Sequence, residues 1–269
     1  MPELPEVETI VQDLRQGILS RKIVGVKFLT RSVWRKRVPS SALLVGVRVT
    51  QIKRRGKNII VLLSNGYALI IHLKMTGRLR HQDRHEQVAK HTHLIIDLDE
   101  GQLRFSDIRR FGYLDLVRAD KLDNVDYLGS LGPDAMEIPK EEFIKLLKSK
   151  RRIIKSLLLD QTVVAGLGNI YTDEALHAAR IHPRRISSQL SSGKLSLLYD
   201  SMRETLLKAL AARGSSVDNY VDARGSRGSF QDQHLVYGRE GKPCRVCGHV
   251  IKKITVGSRS SHFCPNCQR

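Results

Sequence analysis

No run of about 18 apolar residues, the length a helix needs to cross a bilayer, occurs in this sequence. No lipidation motif is present. The opening residues, MPELPEVE, hold three glutamates where a secretory signal would place a basic region, so no signal peptide is read there. Acidic residues are scarce beside basic ones: 27 Asp and Glu face 46 Lys and Arg, a formal net charge of +19. Such an excess suits a polyanion, because each neutralised phosphate releases condensed counterions. An anionic membrane surface would suit the charge as well, but neither span nor anchor supports it. A cytosolic nucleic-acid binder is the favoured class.

Cysteine is also rare, and its placement is informative. The four cysteines all lie near the C-terminus, as Cys244-x-x-Cys247, sixteen residues, then Cys264-x-x-Cys267. In a reducing compartment this spacing points to one tetrahedral Zn²⁺ on four thiolates, with two disulfides or free thiols as the competing reading. Residues 239–269 carry seven basic side chains and one acid. A closed zinc site with that charge reads as a DNA-contacting hairpin.

At 269 residues and 41% hydrophobic, the chain can bury a core and has room for two domains. Val7, Ile10, Val11, Leu14 and Ile18 fall on one helical face behind Pro5. From about 23 to 118 the pattern is that of strands. Asn65-Gly66 separates two apolar runs, the sign of a tight hairpin, and Glu100-Gly101 repeats the form. Several short strands predict a sandwich or barrel. Residues 119–140, with two glycines and two prolines in LGSLGPDAMEIP, read as a connector. Helical periods follow from Glu141, ending in a long segment near 187–212. Gly166 and Gly168 precede a helix beginning near Asn169, an arrangement that can seat a phosphate. Residues 214–233 read as a long polar loop.

Four stretches then combine: MPELPEVE, DIRRFG at 107–112, DQTVVAGLGNIY at 160–171 and the terminal C-P-x-C-Q. Together, and in this order along the whole chain, they resemble the bacterial formamidopyrimidine-DNA glycosylases. The endonuclease VIII group is less similar, since its N-terminal motif differs. The resemblance implies an α+β multidomain fold. An N-terminal β-sandwich with an N-terminal helix would occupy 1–118, joined through the 119–140 connector. A helix-two-turn-helix domain would span 141–233 and include a lesion-capping loop at about 217–229. A C-terminal zinc-finger β-hairpin would occupy 234–269. DNA would lie in a basic cleft between the two halves.

The same resemblance implies a base-excision repair enzyme, at once glycosylase and abasic-site lyase, acting on 8-oxoguanine and formamidopyrimidines. It implies Pro2 as the nucleophile after loss of Met1, Glu3 as acid and base, and Lys57 and Arg259 as further catalytic-site cations on phosphate. His72, Met75, Arg109, Phe111, Lys155 and Asn169 would contact DNA, with Met75, Arg109 and Phe111 filling the gap left by an everted base. Glu6 and Glu174 would border the lesion pocket. Cys244, Cys247, Cys264 and Cys267 would hold one structural zinc. The sequence departs from the family form in GSRSSHFC around Arg259, which places the shape of that loop in question. A cytoplasmic bacterial monomer, acting on duplex DNA and on no membrane, is expected. An oxidised-pyrimidine glycosylase and a non-catalytic zinc-ribbon DNA-binding protein are the alternatives.

Overall fold

The computed structural model describes residues 1–35 and 39–269. The chain forms two compact units, one of 1–129 with 212–229 and one of 130–211 with 230–269.

The first unit opens with helix α1 (Leu4–Ile18). Pro5 sits in its first turn, and Glu3 and Glu6 form a reciprocal capping box. The apolar stripe read from the sequence is buried along its whole length. Among the described residues eight strands follow: β1 (Ile23–Phe28), β2 (Val49–Arg55), β3 (Asn58–Leu63), β4 (Tyr67–His72), β5 (Gly77–Gln82), β6 (Thr92–Leu98), β7 (Gln102–Asp107) and β8 (Tyr113–Arg118). They form two four-stranded antiparallel sheets, ordered β1-β6-β7-β5 and β2-β3-β4-β8. Both sheets and α1 contribute to one core, where Ile10 and Leu14 join Ile59 and Ile71 of one sheet and Ile96 and Phe105 of the other. The expected hairpins close β3 on β4 and β6 on β7. Gly66 takes φ +79° in the first of these turns, a conformation an L side chain resists.

The 119–140 region is not a plain linker. A 3₁₀ turn (Ala119–Asn124) and short helix α2 (Asp126–Gly129) belong to the first unit, and the second begins at Ser130. The polar segment after Arg213 groups with the sandwich and not with the helices that precede it. The reason is packing: Tyr220 and Ala223 join the sandwich core.

The second unit carries α3 (Lys140–Lys148), α4 (Ile154–Leu159), α5 (Asn169–Ala178) and the 20-residue α6 (Ser192–Ala211). It ends in an antiparallel hairpin of β9 (Lys252–Val256) and β10 (Arg259–Phe263). Val236, Ile251, Cys244 and Cys264 form the small core beneath that hairpin. Among the described residues, no helix is long and apolar enough to cross a membrane.

Candidate active site and nucleic-acid interface

Three groups of the sequence-predicted residues come together in the first unit. The first is the N-terminal end of α1. Pro2 and Glu3 are buried ahead of the helix. The Glu3 N–H donates to Glu6 Oε2 at 2.8 Å. The other Glu6 oxygen, Oε1, accepts the Ser215 N–H at 2.7 Å. One carboxylate therefore fixes both the chain start and the 214–216 turn.

The second group lies on the β2–β3–β4 edge. Lys57 sits, buried, in the β2–β3 turn, beside Asn58, whose cross-strand partner is His72. Burial pushes the His72 imidazole down to about 3, with Lys74, Lys57 and Arg35 adding to the shift. The ring is neutral near pH 7. Its Nδ1 faces the Lys74 N–H at 3.0 Å and must accept, so the ring proton resides on Nε2. That tautomer offers an N–H donor suited to a phosphate oxygen. Tyr113 stacks on the ring with centroids 5.2 Å apart. Arg35 in turn lies 4.3 Å from the centroid of the Tyr127 ring and 5.0 Å from that of Tyr113.

The third group is an exposed tip. Met75 and Phe111 are 42% and 51% exposed, which core packing does not allow. Arg109 joins them: its Nη1 reaches Met75 Sδ at 3.3 Å, and its guanidinium lies 4.5 Å from the Phe111 ring centroid. Two apolar side chains bridged by a cation make a compact wedge.

The loop 212–229 is anchored on the sandwich. Arg213 bridges Asp13 at 2.6 Å and Asp222 at 2.5 Å, and Arg224 reaches Asp13 at 3.2 Å. The His81 N–H donates to Ala223 O at 2.9 Å, and Arg78 Nε to Asn219 O at 3.0 Å.

In the second unit, Gln161 shapes the loop before α5. Its side chain accepts from the Gly166 N–H at 3.0 Å and donates to Leu167 O at 2.8 Å. Gly168 caps the helix and Asn169 opens it, with the Asn169 Oδ1 buried and unpaired. Arg259, at the start of β10, is exposed beside the hairpin turn.

Two residues read as facing DNA or the lesion are buried in the second unit. Lys155 is fully buried; its Nζ is 2.6 Å from Asp173 Oδ1 and donates to Ser260 O at 2.6 Å. Glu174 is also buried, and its carboxylate accepts from the N–H groups of Leu235, Val236 and Tyr237 at 2.8 to 2.9 Å. Burial pushes Glu174 up, while those three N–H groups oppose the shift. Both residues hold the C-terminal hairpin region onto α4 and α5. Asp173 completes the arrangement by accepting from the His262 N–H at 2.8 Å and the Ser261 hydroxyl at 3.1 Å. The sequence offered no sign of Asp173 beyond two adjacent acids within a helix.

The four cysteine sulfurs lie within 4.8 Å of one another. A tetrahedral zinc with Zn–S bonds of about 2.3 Å sets its sulfurs about 3.8 Å apart. The Cys244–Cys267 separation of 3.9 Å and the Cys247–Cys264 separation of 3.4 Å suit that set. Backbone N–H groups of Val246 and Cys267 point at the sulfurs of Cys244 and Cys264, as metal thiolates require. The donor set fits one structural zinc.

Three family models match in order along the chain. Residues 1–114 match the formamidopyrimidine-DNA glycosylase N-terminal domain, 131–221 its H2TH domain, and 241–269 the zinc finger found in FPG and IleRS. The curated formamidopyrimidine-DNA glycosylase of Pelotomaculum thermopropionicum is 43% identical over 274 residues, covering 100% of this chain and 99% of that protein. The chain belongs to the formamidopyrimidine-DNA glycosylase family. The glycosylase of Desulforamulus reducens is 44% identical over 275 residues, with the same coverage. Among solved structures, a Lactococcus lactis FPG variant in complex with Fapy-dG-containing DNA superposes with a TM-score of 0.93. It is 37% identical, and each chain is covered completely. The Lactococcus lactis enzyme with abasic-site DNA gives 0.93 at 37% identity, with 99% of each chain covered. Members of this glycosylase family act both as DNA glycosylases and as abasic-site lyases, and this chain is an enzyme of that kind. Its zinc finger holds one zinc ion on Cys244, Cys247, Cys264 and Cys267.

Proposed function

We propose that this base-excision repair enzyme excises 8-oxoguanine and formamidopyrimidines from duplex DNA, then cuts the strand through an iminium formed with Pro2. The observation that carries this reading is the fixed chain start. The capping box and the Glu6 carboxylate hold residues 2 and 3 on the rigid end of α1, as a catalytic group requires.

A terminal amine titrates near 8, against about 10.4 for Lys, so at neutral pH an appreciable fraction is unprotonated. Attack of the Pro2 nitrogen on the sugar C1′ breaks the glycosidic bond, and the base departs with the bonding pair. Glu3 protonates the ring oxygen as the sugar opens, giving a charged iminium. The iminium acidifies the C2′ proton; its removal expels the 3′ phosphate, and a second elimination expels the 5′ phosphate. While Met1 is attached, the Pro2 nitrogen is an amide and cannot attack. The active enzyme therefore begins at Pro2.

Lys57, the Nε2–H of His72, Asn169 and Arg259 grip the phosphates, and Met75, Arg109 and Phe111 fill the gap in the stack. The basic charge of +19 draws the enzyme to DNA and makes binding steeply salt-dependent. It acts as a monomer in the bacterial cytoplasm.

Borohydride trapping tests the reading. Enzyme and 8-oxoguanine duplex should join covalently under reductant, and Pro2→Gly should trap weakly or not at all. Intact mass should show Met1 absent from active enzyme. An untrappable wild-type protein would instead indicate a non-catalytic binder. The Lactococcus lactis enzyme has also been solved with an oxidised-pyrimidine DNA. Parallel assays on 8-oxoguanine opposite cytosine and on thymine glycol measure the range, and the purine should be favoured.

A further inference from the structure

Both loops that carry the wedge turn on a left-handed residue that is not glycine. Lys74, beside Met75, has φ +51°, and Arg110, between Arg109 and Phe111, has φ +54°. Such backbone persists where its surroundings fix it. One buried carboxylate fixes both turns.

Asp107 ends β7 and is fully buried. Its Oδ1 accepts from the Thr76 hydroxyl, one residue after Met75, and from the Arg109 N–H at 3.1 Å. Its Oδ2 accepts from the Gly112 N–H at 2.7 Å, one residue after Phe111. The Asp107 main chain is itself held: its N–H donates to His91 O at 3.0 Å, and its carbonyl accepts from His93 Nε2 at 2.8 Å. A Cβ on Gly112 would lie 3.0 Å from Oδ2 and 2.9 Å from Phe105, so the second loop must approach this carboxylate closely.

We infer that Asp107 is a positioning residue that locks the two loops in register, so that Met75, Arg109 and Phe111 enter the duplex as one rigid wedge. Asp107 thereby governs eversion of the damaged base and leaves the strand-cutting chemistry alone. The inference rests on the repair reading above. Oδ1 of Asp107 serves Thr76 and Arg109 and Oδ2 serves Gly112, so a residue with one acceptor oxygen leaves one of these two sets without its acceptor.

Asp107→Asn in the full zinc-loaded chain tests this. Asparagine keeps the shape but turns an NH₂ toward an N–H or O–H donor. Single-turnover excision of 8-oxoguanine opposite cytosine should fall about tenfold or more, since a buried charge-assisted contact is lost. Cleavage of a preformed abasic site, which needs no base everted, should change by less than about threefold. Stopped-flow 2-aminopurine fluorescence should show slowed eversion. In a Met75→Ala background, Asp107→Asn should cause little further loss, because both changes act through the wedge. Equal losses in excision and abasic-site cleavage, or additive losses in the double variant, would overturn the inference. If Met75→Ala alone leaves excision unchanged, the wedge reading fails and takes the inference with it. Should Asp107→Asn not fold, Thr76→Val removes the hydroxyl that donates to Asp107 and accepts from the Arg109 N–H at 3.2 Å, and the same comparison applies.

Discussion

Glu6 and Ser215 are 209 positions apart in the chain, yet the Ser215 N–H donates to Glu6 Oε1 at 2.7 Å. With Glu6 Oε2 on the Glu3 N–H, a single carboxylate ties the chain start to the loop that follows the long helix. Glutamine in its place can accept on one side only. Glu6→Gln should therefore loosen either the N-terminus or the loop, a cost of about 1.5–3 kcal/mol for a buried charge-assisted bond. Excision of 8-oxoguanine should drop about tenfold or more, by the same magnitude. Hydrogen exchange at residues 214–216 should rise. Unchanged excision and unchanged exchange would refute this role.

Lys155 and Asp173 are both fully buried, and they join α4 and α5 to β10, the strand that begins with Arg259. Removing one partner of such a pair strands the other and costs about 3–5 kcal/mol. Lys155→Ala should lower the unfolding midpoint and weaken DNA binding through the displaced hairpin. Lys155→Ala with Asp173→Ala should recover part of the stability. A Lys155→Ala protein as stable as the parent would contradict the arrangement.

Zinc holds the hairpin through four thiolates, and ligand binding and folding are one process at such a site. Extraction with a strong chelator should abolish duplex binding measured by fluorescence anisotropy, and readdition of zinc should restore it. Metal analysis should give one zinc per chain. Normal binding by the metal-free protein would exclude the hairpin as a DNA contact.

Folded His72 titrates at about 3 and His234 at about 4, in each case chiefly because of burial; the unfolded imidazole titrates near 6.5. Above pH 6.5 neither state is protonated, and these residues contribute no pH slope. As pH falls from 6.5, the unfolded chain takes up protons that the folded protein refuses, so stability declines toward pH 4. From pH 7 to 5 the loss is at most about 2 kcal/mol for each histidine. Urea unfolding at the two pH values should show a smaller difference in His72→Gln than in the parent. An equal difference would show that His72 is not the source.

Elements written in local periodicity were legible. The α1 stripe, the Asn65-Gly66 hairpin and the helix start after Gly168 need only neighbours within a few residues. The zinc set was equally legible, because two Cys-x-x-Cys pairs already carry most of the coordination geometry. The burial of Lys155 was not legible for a physical reason: a lysine in a basic sequence gives no sign that it will pair, buried, with a carboxylate 18 residues on. Asp107 stood in plain view within DIRRFG, but its two oxygens acquire separate duties only when the 74–76 and 108–112 loops fold beside each other. The 212–229 segment lacks any apolar period, so its attachment to the sandwich through Tyr220, Ala223 and the Arg213 ion pairs was invisible.

The sequence by itself determined the polyanion preference, the zinc ligands, the order of strand-rich and helix-rich halves and the family. Each is a property of composition, spacing or period, which the chain carries unfolded. Only the tertiary structure decided which carboxylates are structural ties and which apolar side chains remain exposed. Those assignments depend on burial and on partners far away in sequence, and both exist only once the chain has closed on itself.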